Sequence, residues 1–182
     1  MKRLIVSTLA VATMTLAAPA AYAATFPVGG TNFTATPGPN GTFAGAFFNT
    51  GIAAGEFSDT FTFTLPTNGF GSGTVTTSAT VFQSPNDLDF TSVFVNGVAA
   101  GINRTEGGLF EVAFTNNIPV VAGVLNTIVV NGVSRGGGAY GGQASFVAAI
   151  PEATTWAMML VGFGMIGAAT RYRRRATTVR FA

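Results

Sequence analysis

Between residues 43 and 149 apolar and polar positions alternate with a period of two, in one short run after another. Val75, Thr77, Ala79 and Val81 alternate with Thr74, Thr76, Ser78 and Thr80. Phe110, Val112 and Phe114 alternate with Glu111 and Ala113, and Ala144, Phe146 and Ala148 with Gln143, Ser145 and Val147. Successive side chains of a strand point to opposite faces, so the pattern is that of half-buried strands, and Thr, Val and Phe suit them. It predicts about eight strands, near 43–49, 57–65, 73–82, 88–96, 109–115, 118–121, 124–131 and 139–149. Asn40-Gly41, Asn68-Gly69, Asn96-Gly97 and Asn131-Gly132 offer the positive φ values that tight hairpins require. No helical stripe occurs between 24 and 150. The expected architecture is an all-β, antiparallel β-sandwich. Residues 24–42, with Pro27, Pro37 and Pro39, read as a loose leader or an edge segment, and Gly136–Gly142 as a flexible hairpin or a bulged strand.

Two segments depart from that period. Lys2 and Arg3 precede an apolar stretch from Leu4 to Ala18, followed by Pro19 and the Ala21-Tyr22-Ala23 exit. A basic start, an apolar middle and an A-x-A exit make a secretory signal peptide, with cleavage expected after Ala23. At the other end, residues 154–170 carry no charge, and Trp156, Met158, Met159, Leu160, Val161, Phe163, Met165 and Ile166 surround the whole helix circumference. At about 1.5 Å per residue this helix is about 25 Å long, close to the roughly 30 Å hydrocarbon layer. Trp156 suits the headgroup level, and Arg171, Arg173, Arg174 and Arg175 mark a cytoplasmic end. A transmembrane helix is therefore expected, with the protein body outside. Gly162, Gly164 and Gly167 spell G-x-G-x-x-G, but no strand precedes them and too little chain follows for a dinucleotide site. They read as a small-residue face for close helix contact. The expected division is 1–23 signal peptide, 24–150 exported domain and 151–182 C-terminal signal. That signal comprises a motif at 151–153, a helix at 154–170 and a basic tail at 171–182.

Composition changes the picture once both ends are set aside. The chain has nine basic and seven acidic residues, yet residues 24–150 hold only Arg104 and Arg135 against Glu56, Asp59, Asp87, Asp89, Glu106 and Glu111, a net of −4. The basic balance belongs to the terminal segments and gives no argument for nucleic acid. There is no cysteine and no histidine, and the only lysine is Lys2. The domain thus lacks the commonest general base, metal ligand and amine nucleophile. No catalytic residue, cofactor or metal site is expected, and the protein reads as a non-enzyme.

The strand Phe57–Leu65 carries one feature of chemical interest. Its alternation puts Asp59 on the same face as Phe57, Phe61, Phe63 and Leu65. A buried carboxylate must be satisfied, here by backbone N–H groups, by Arg104 or Arg135, or by a cation. With no acidic cluster near it in sequence, donors from the protein are expected. Asn86-Asp87-Leu88-Asp89 offers oxygen ligands to a hard cation, but without the glycine and terminal glutamate of an EF-hand loop it reads as a solvated turn. Glu111 reads as the outward position of its strand, which argues against a glycosidase pair with Glu106. Tyr140 and the exposed threonines are candidate sugar contacts.

Pro151-Glu152, Trp156-Ala157-Met158-Met159, Gly162-Phe163-Gly164, Gly167 and the arginine cluster closely resemble the PEP-CTERM sorting signal. In that family a Pro-Glu-Pro tripeptide precedes a short transmembrane helix and a basic tail, and an exosortase-type enzyme processes the signal during export. Ala153 stands at the third motif position in place of proline. Phe57-x-Asp59-x-Phe61 resembles the signature of the FxDxF group of PEP-CTERM proteins, as do Leu88–Val93 with Asn96-Gly97 and the stretch from Ile118 to Gly132. The resemblance implies a non-enzymatic protein with an exosortase-type partner. It would be membrane-anchored before processing, then held in the envelope, at the surface or in an exopolysaccharide or biofilm matrix. A glycan-binding module of the same architecture is the other reading; it requires an exposed aromatic platform, for which only Tyr140 and the phenylalanines are available.

Overall fold

The computed structural model describes residues 21–149 and 153–174. Eleven strands form two sheets. The strands are β1 (Tyr22–Pro27), β2 (Phe33–Pro37), β3 (Phe43–Ile52), β4 (Gly55–Phe63), β5 (Gly69–Ser78), β6 (Leu88–Val95), β7 (Val98–Ala99), β8 (Gly101–Thr105), β9 (Phe110–Val120), β10 (Asn126–Ser134) and β11 (Gly138–Ala148). The five-stranded sheet runs β1-β4-β10-β6-β7 and the six-stranded sheet β2-β3-β11-β5-β9-β8. All pairs are antiparallel except β1 on β4. This is the expected β-sandwich with more strands than its alternation suggested.

The differences have local causes. Residues 24–42 are not a loose leader: they supply most of β1 and all of β2, which close one edge of each sheet. Strands 109–115 and 118–121 are one strand, β9. Asn117 at φ 58° sits at the irregularity opposite Gly71 and Gly73, and a bulge mimics a break in the alternation. Asn96 (φ 49°) and Gly97 (φ 79°) do turn the β6–β7 hairpin. Asn131-Gly132 does not turn: it lies inside β10, where a Cβ on Gly132 would stand 2.6 Å from the Phe57 ring. Asn68-Gly69 lies where the chain crosses between sheets, not in a hairpin.

The core between the sheets is aromatic. Phe33, Phe47, Phe57, Phe61, Phe90 and Tyr140 are buried together. Tyr140 of β11 contacts Phe57 at 5.8 Å, Phe90 at 5.9 Å and Phe61 at 6.3 Å between ring centroids, in stacked and edge-on arrangements that suit the ring quadrupoles. Towards the other end, the inward row of the six-stranded sheet is Ala35, Gly45, Ala144 and Gly73, one small residue on each of four adjacent strands. A cavity of about 260 Å³ lies against that row.

The C-terminal helix α1 (Ala153–Arg174) is longer than the expected 154–170. Its large apolar side chains are exposed, Leu160 at 67% and Met158 at 71%, so none is buried against the sandwich. Among the described residues no helix is long and apolar enough to cross a membrane, which corrects the expected transmembrane span. The reason is composition. Gly162, Gly164 and Gly167 add no apolar side chain, and the helix continues through Arg171 and Arg173.

Candidate functional site

Two of the polar ties between the sheets are built on buried carboxylates. The first is centred on Asp59 of β4, which is 2% exposed. Tyr140 of β11 donates its hydroxyl to Asp59 Oδ2 at 2.6 Å, and Asn49 of β3 donates its side-chain amide to the same oxygen at 2.7 Å. Tyr140 and Asn49 are register partners, so one strand pair of the six-stranded sheet presents both donors to a carboxylate on the other sheet. The expected donors were backbone or arginine; the actual ones are two neutral side chains. Desolvation first, then the hydrogen bond to Asp59, push the Tyr140 phenol far above its ordinary value of 10.0, so it remains a donor. Tyr140 is 3% exposed and takes no part in a sugar-binding surface.

The second tie joins Glu111, Arg104 and the backbone of Phe90. Glu111 is fully buried, not outward as its strand alternation suggested. Both faces of Phe110–Phe114 carry apolar residues, so the pattern did not fix which face turns in. Arg104 Nε donates to Glu111 Oε1 at 2.6 Å, and the Phe90 N–H donates to Glu111 Oε2 at 2.7 Å. The Arg104 guanidinium also donates to the Phe90 carbonyl. Beside Phe90, β6 has β10 on one side only, because β7 pairs just with Phe94 and Val95. The salt-bridged pair caps backbone groups that a further strand would otherwise meet.

Arg135 extends this polar region. It bonds Asp89 Oδ2 at 2.7 Å and lies 3.1 Å from Asp87 Oδ2. Asp87 is 1% exposed and accepts the Gln83 N–H at 2.7 Å, so 86–89 is not a solvated turn. The hydrogen bond to Asp89 raises the Arg135 pKa against the opposing effect of burial. The place a cation would take is held by a guanidinium, and among the described residues no cluster of three or more metal-ligating side chains occurs. Arg104, Arg135, Asp87, Asp89 and Glu111 are thus all engaged in holding the two sheets and their loops. Asn49 and the Arg135 pairings gave no sequence signal, because strand order alone brings them together.

Of the sorting residues, Pro151, Glu152 and Arg175 lie outside the described residues, as does the signal segment up to residue 20. Ala153 opens α1, and Trp156, Gly162, Gly164, Gly167, Arg171, Arg173 and Arg174 follow along it. The three glycines face open space: a Cβ on any of them would meet nothing within 4 Å. Ala21 precedes β1, and Ala23 lies within it, paired with Ser58. Residues 149–175 match the family model of the PEP-CTERM protein-sorting motif.

The chain carries a PEP-CTERM sorting motif. An apolar helix that runs into a cluster of arginines is the physical form of that motif here. It marks an exported, envelope-associated protein. No curated protein matches the chain. Among solved structures, a family 6 carbohydrate-binding module is similar at 12% identity, with 66% of this chain and 86% of that chain covered and a TM-score of 0.26.

Proposed function

We infer that this is a non-enzymatic exported protein whose C-terminal PEP-CTERM motif is read by an exosortase-type enzyme. The sandwich is then delivered to the envelope, the surface or an exopolysaccharide matrix, as in a biofilm, in a structural or adhesive role. The observation that carries this reading is the motif match over 149–175, on a helix whose large apolar side chains are exposed. The buried apolar core runs from Phe33 to Phe146, so removal of the helix takes none of it away. The non-catalytic reading is supported by the occupation of Asp59, Asp87, Asp89 and Glu111 in structural contacts, in a chain without histidine or cysteine.

The N-terminal signal fits the same reading. Cleavage after Ala23 leaves Ala24–Pro27 on β4 and keeps Phe26 stacked on Phe61 at 5.0 Å. We also place the domain in the FxDxF group. The support is physical: Phe57, Asp59 and Phe61 turn inward together onto Tyr140, so the three motif positions act as one inter-sheet contact.

Intact-mass measurement of protein from the native envelope tests the sorting role. Wild type is expected to appear without residues 1–23 and without the segment that follows the 151–153 motif. Glu152→Ala is expected to retain that segment with an unchanged domain fold. Equal processing of the two proteins would remove the case for recognition at Glu152.

One observation favours the glycan-binding alternative. Phe110 and Phe114 of β9 and Phe70 of β5 point away from the core and are 42%, 46% and 44% exposed, on a face that also carries Thr74 and Gln143. Exposed aromatic rings beside hydroxyl and amide groups can stack on sugar rings. On this reading Phe114→Ala lowers retention on immobilised exopolysaccharide from the producing cells about tenfold, with an unchanged melting temperature. Unchanged retention removes it.

A further inference from the structure

We propose that the cavity between the sheets is a binding site for one uncharged, hydrocarbon-like molecule, such as a medium-length alkyl chain. This goes beyond the sorting role and rests on the shape of the core.

The site arises from a mismatch between facing sheets. On the six-stranded sheet Gly45, Ala144 and Gly73 lie side by side in register and offer almost no side chain. Across from them the five-stranded sheet presents full-sized Phe63, Val95 and Ile128. Sheets pack about 10 Å apart with side chains from both faces filling the gap. Where one face contributes only hydrogens and methyl groups, space remains.

Elsewhere the same sheet resolves its small residues differently. A Cβ on Gly142 would meet the Phe47 ring at 2.3 Å, and one on Gly69 would meet the Phe146 ring at 2.5 Å, so a ring already lies on each of those glycines. At Gly45 the nearest side-chain atom to such a Cβ is the edge of Phe33 at 3.4 Å, a contact distance rather than an overlap. Gly45, Ala144 and Gly73 all line the cavity of about 260 Å³.

The lining sets the chemistry of the occupant. It contains no Asp, Glu, Lys or Arg; its buried part, which includes Phe33, Phe47, Val75, Val93, Ala113 and Ile128, is apolar, and its polar side chains are neutral hydroxyls and one amide. An ionised headgroup would find no oppositely charged partner there. A closed cavity of about 150 Å³ lined by Leu, Ile and Phe takes up benzene, so this larger, partly open one has room for a longer apolar molecule. Ligand sites of this kind are mostly apolar and preformed.

Full-length protein titrated with the neutral dye N-phenyl-1-naphthylamine tests the proposal, with 1-decanol and decanoate as competitors. Saturable one-site binding is expected in wild type, displaced by decanol and not by decanoate at equal concentration. Ala144→Leu, which extends into the cavity, is expected to weaken binding at least tenfold and to raise the melting temperature of the ligand-free protein. Ala144→Val gives the same change in smaller measure and guards against overpacking by leucine. Ala46→Leu adds the same bulk to the outer face of β3 and leaves binding unchanged.

Equal affinity in all four proteins would put the dye on the exposed surface of α1 and overturn the proposal. So would the absence of saturable binding. Displacement by decanoate as readily as by decanol would overturn the uncharged class.

Discussion

Asp59→Ala is expected to lower the free energy of unfolding by about 3 kcal/mol, measured by urea denaturation. Two donors converge on one carboxylate oxygen inside the core. Hydrogen bonds to a charged group are worth about 1.5–3 kcal/mol each, and the donors left behind would be buried without a partner. Thr60→Ala, one residue along on the opposite face, is expected to cost under about 0.5 kcal/mol. Equal, small effects of the two substitutions would show that the tie contributes nothing. A chelator is expected to leave the melting temperature unchanged, since Tyr140 and Asn49 supply the contacts.

The same tie sets an alkaline limit. The Tyr140 phenol ionises near 10.0 in the unfolded chain and well above that value in the folded one. Below pH 10 both states hold the proton and the full contribution is present. Above it the unfolded chain releases a proton that the folded state keeps, so stability declines as pH rises. Tyr140→Phe is expected to remove that part of the decline while lowering stability at pH 7. An unchanged slope above pH 10 would show that the phenol is not the group responsible.

Arg104→Ala is expected to cost about 3 kcal/mol, although the Arg104 side chain is 48% exposed. Its partner decides the effect. Glu111 is fully buried, and removal of the guanidinium leaves a carboxylate in the core with the Phe90 N–H and the more distant Arg135. Breaking one side of a buried pair typically costs about 3–5 kcal/mol, whereas replacing both sides by apolar residues costs far less. The double variant Arg104→Met/Glu111→Leu is therefore expected to be more stable than Arg104→Ala alone. A double-mutant cycle gives the coupling directly. A loss below about 0.5 kcal/mol for Arg104→Ala would show that Glu111 is solvated, and that the pair does not cap β6.

The alternation of the chain was enough to place most strands, because a period of two survives any arrangement of the sheets. It failed where both faces of a strand are apolar. Phe110–Phe114 looked inward through its phenylalanines, yet those rings are exposed, while Glu111 and Ala113 face the core. It failed again at Asn131-Gly132, whose dipeptide signals a turn but whose glycine accommodates the Phe57 ring. Residues 98–105 carry strands too short to show a period.

By itself the sequence determined an all-β domain, the inward direction of Asp59 among phenylalanines and the sorting motif at the C-terminus. Each of these is a local property, written in neighbouring residues. Only the tertiary structure decided that Tyr140 and Asn49 are the partners of Asp59, 81 and 10 residues away. It also decided that Glu111 is buried against Arg104 and Phe90, and that four small residues on separate strands line up beneath a cavity. The physical reason is that strand order and register in a sandwich follow from long-range pairing. A polar side chain can be buried only once that pairing has brought its partner to it, and a void appears only once two faces have met.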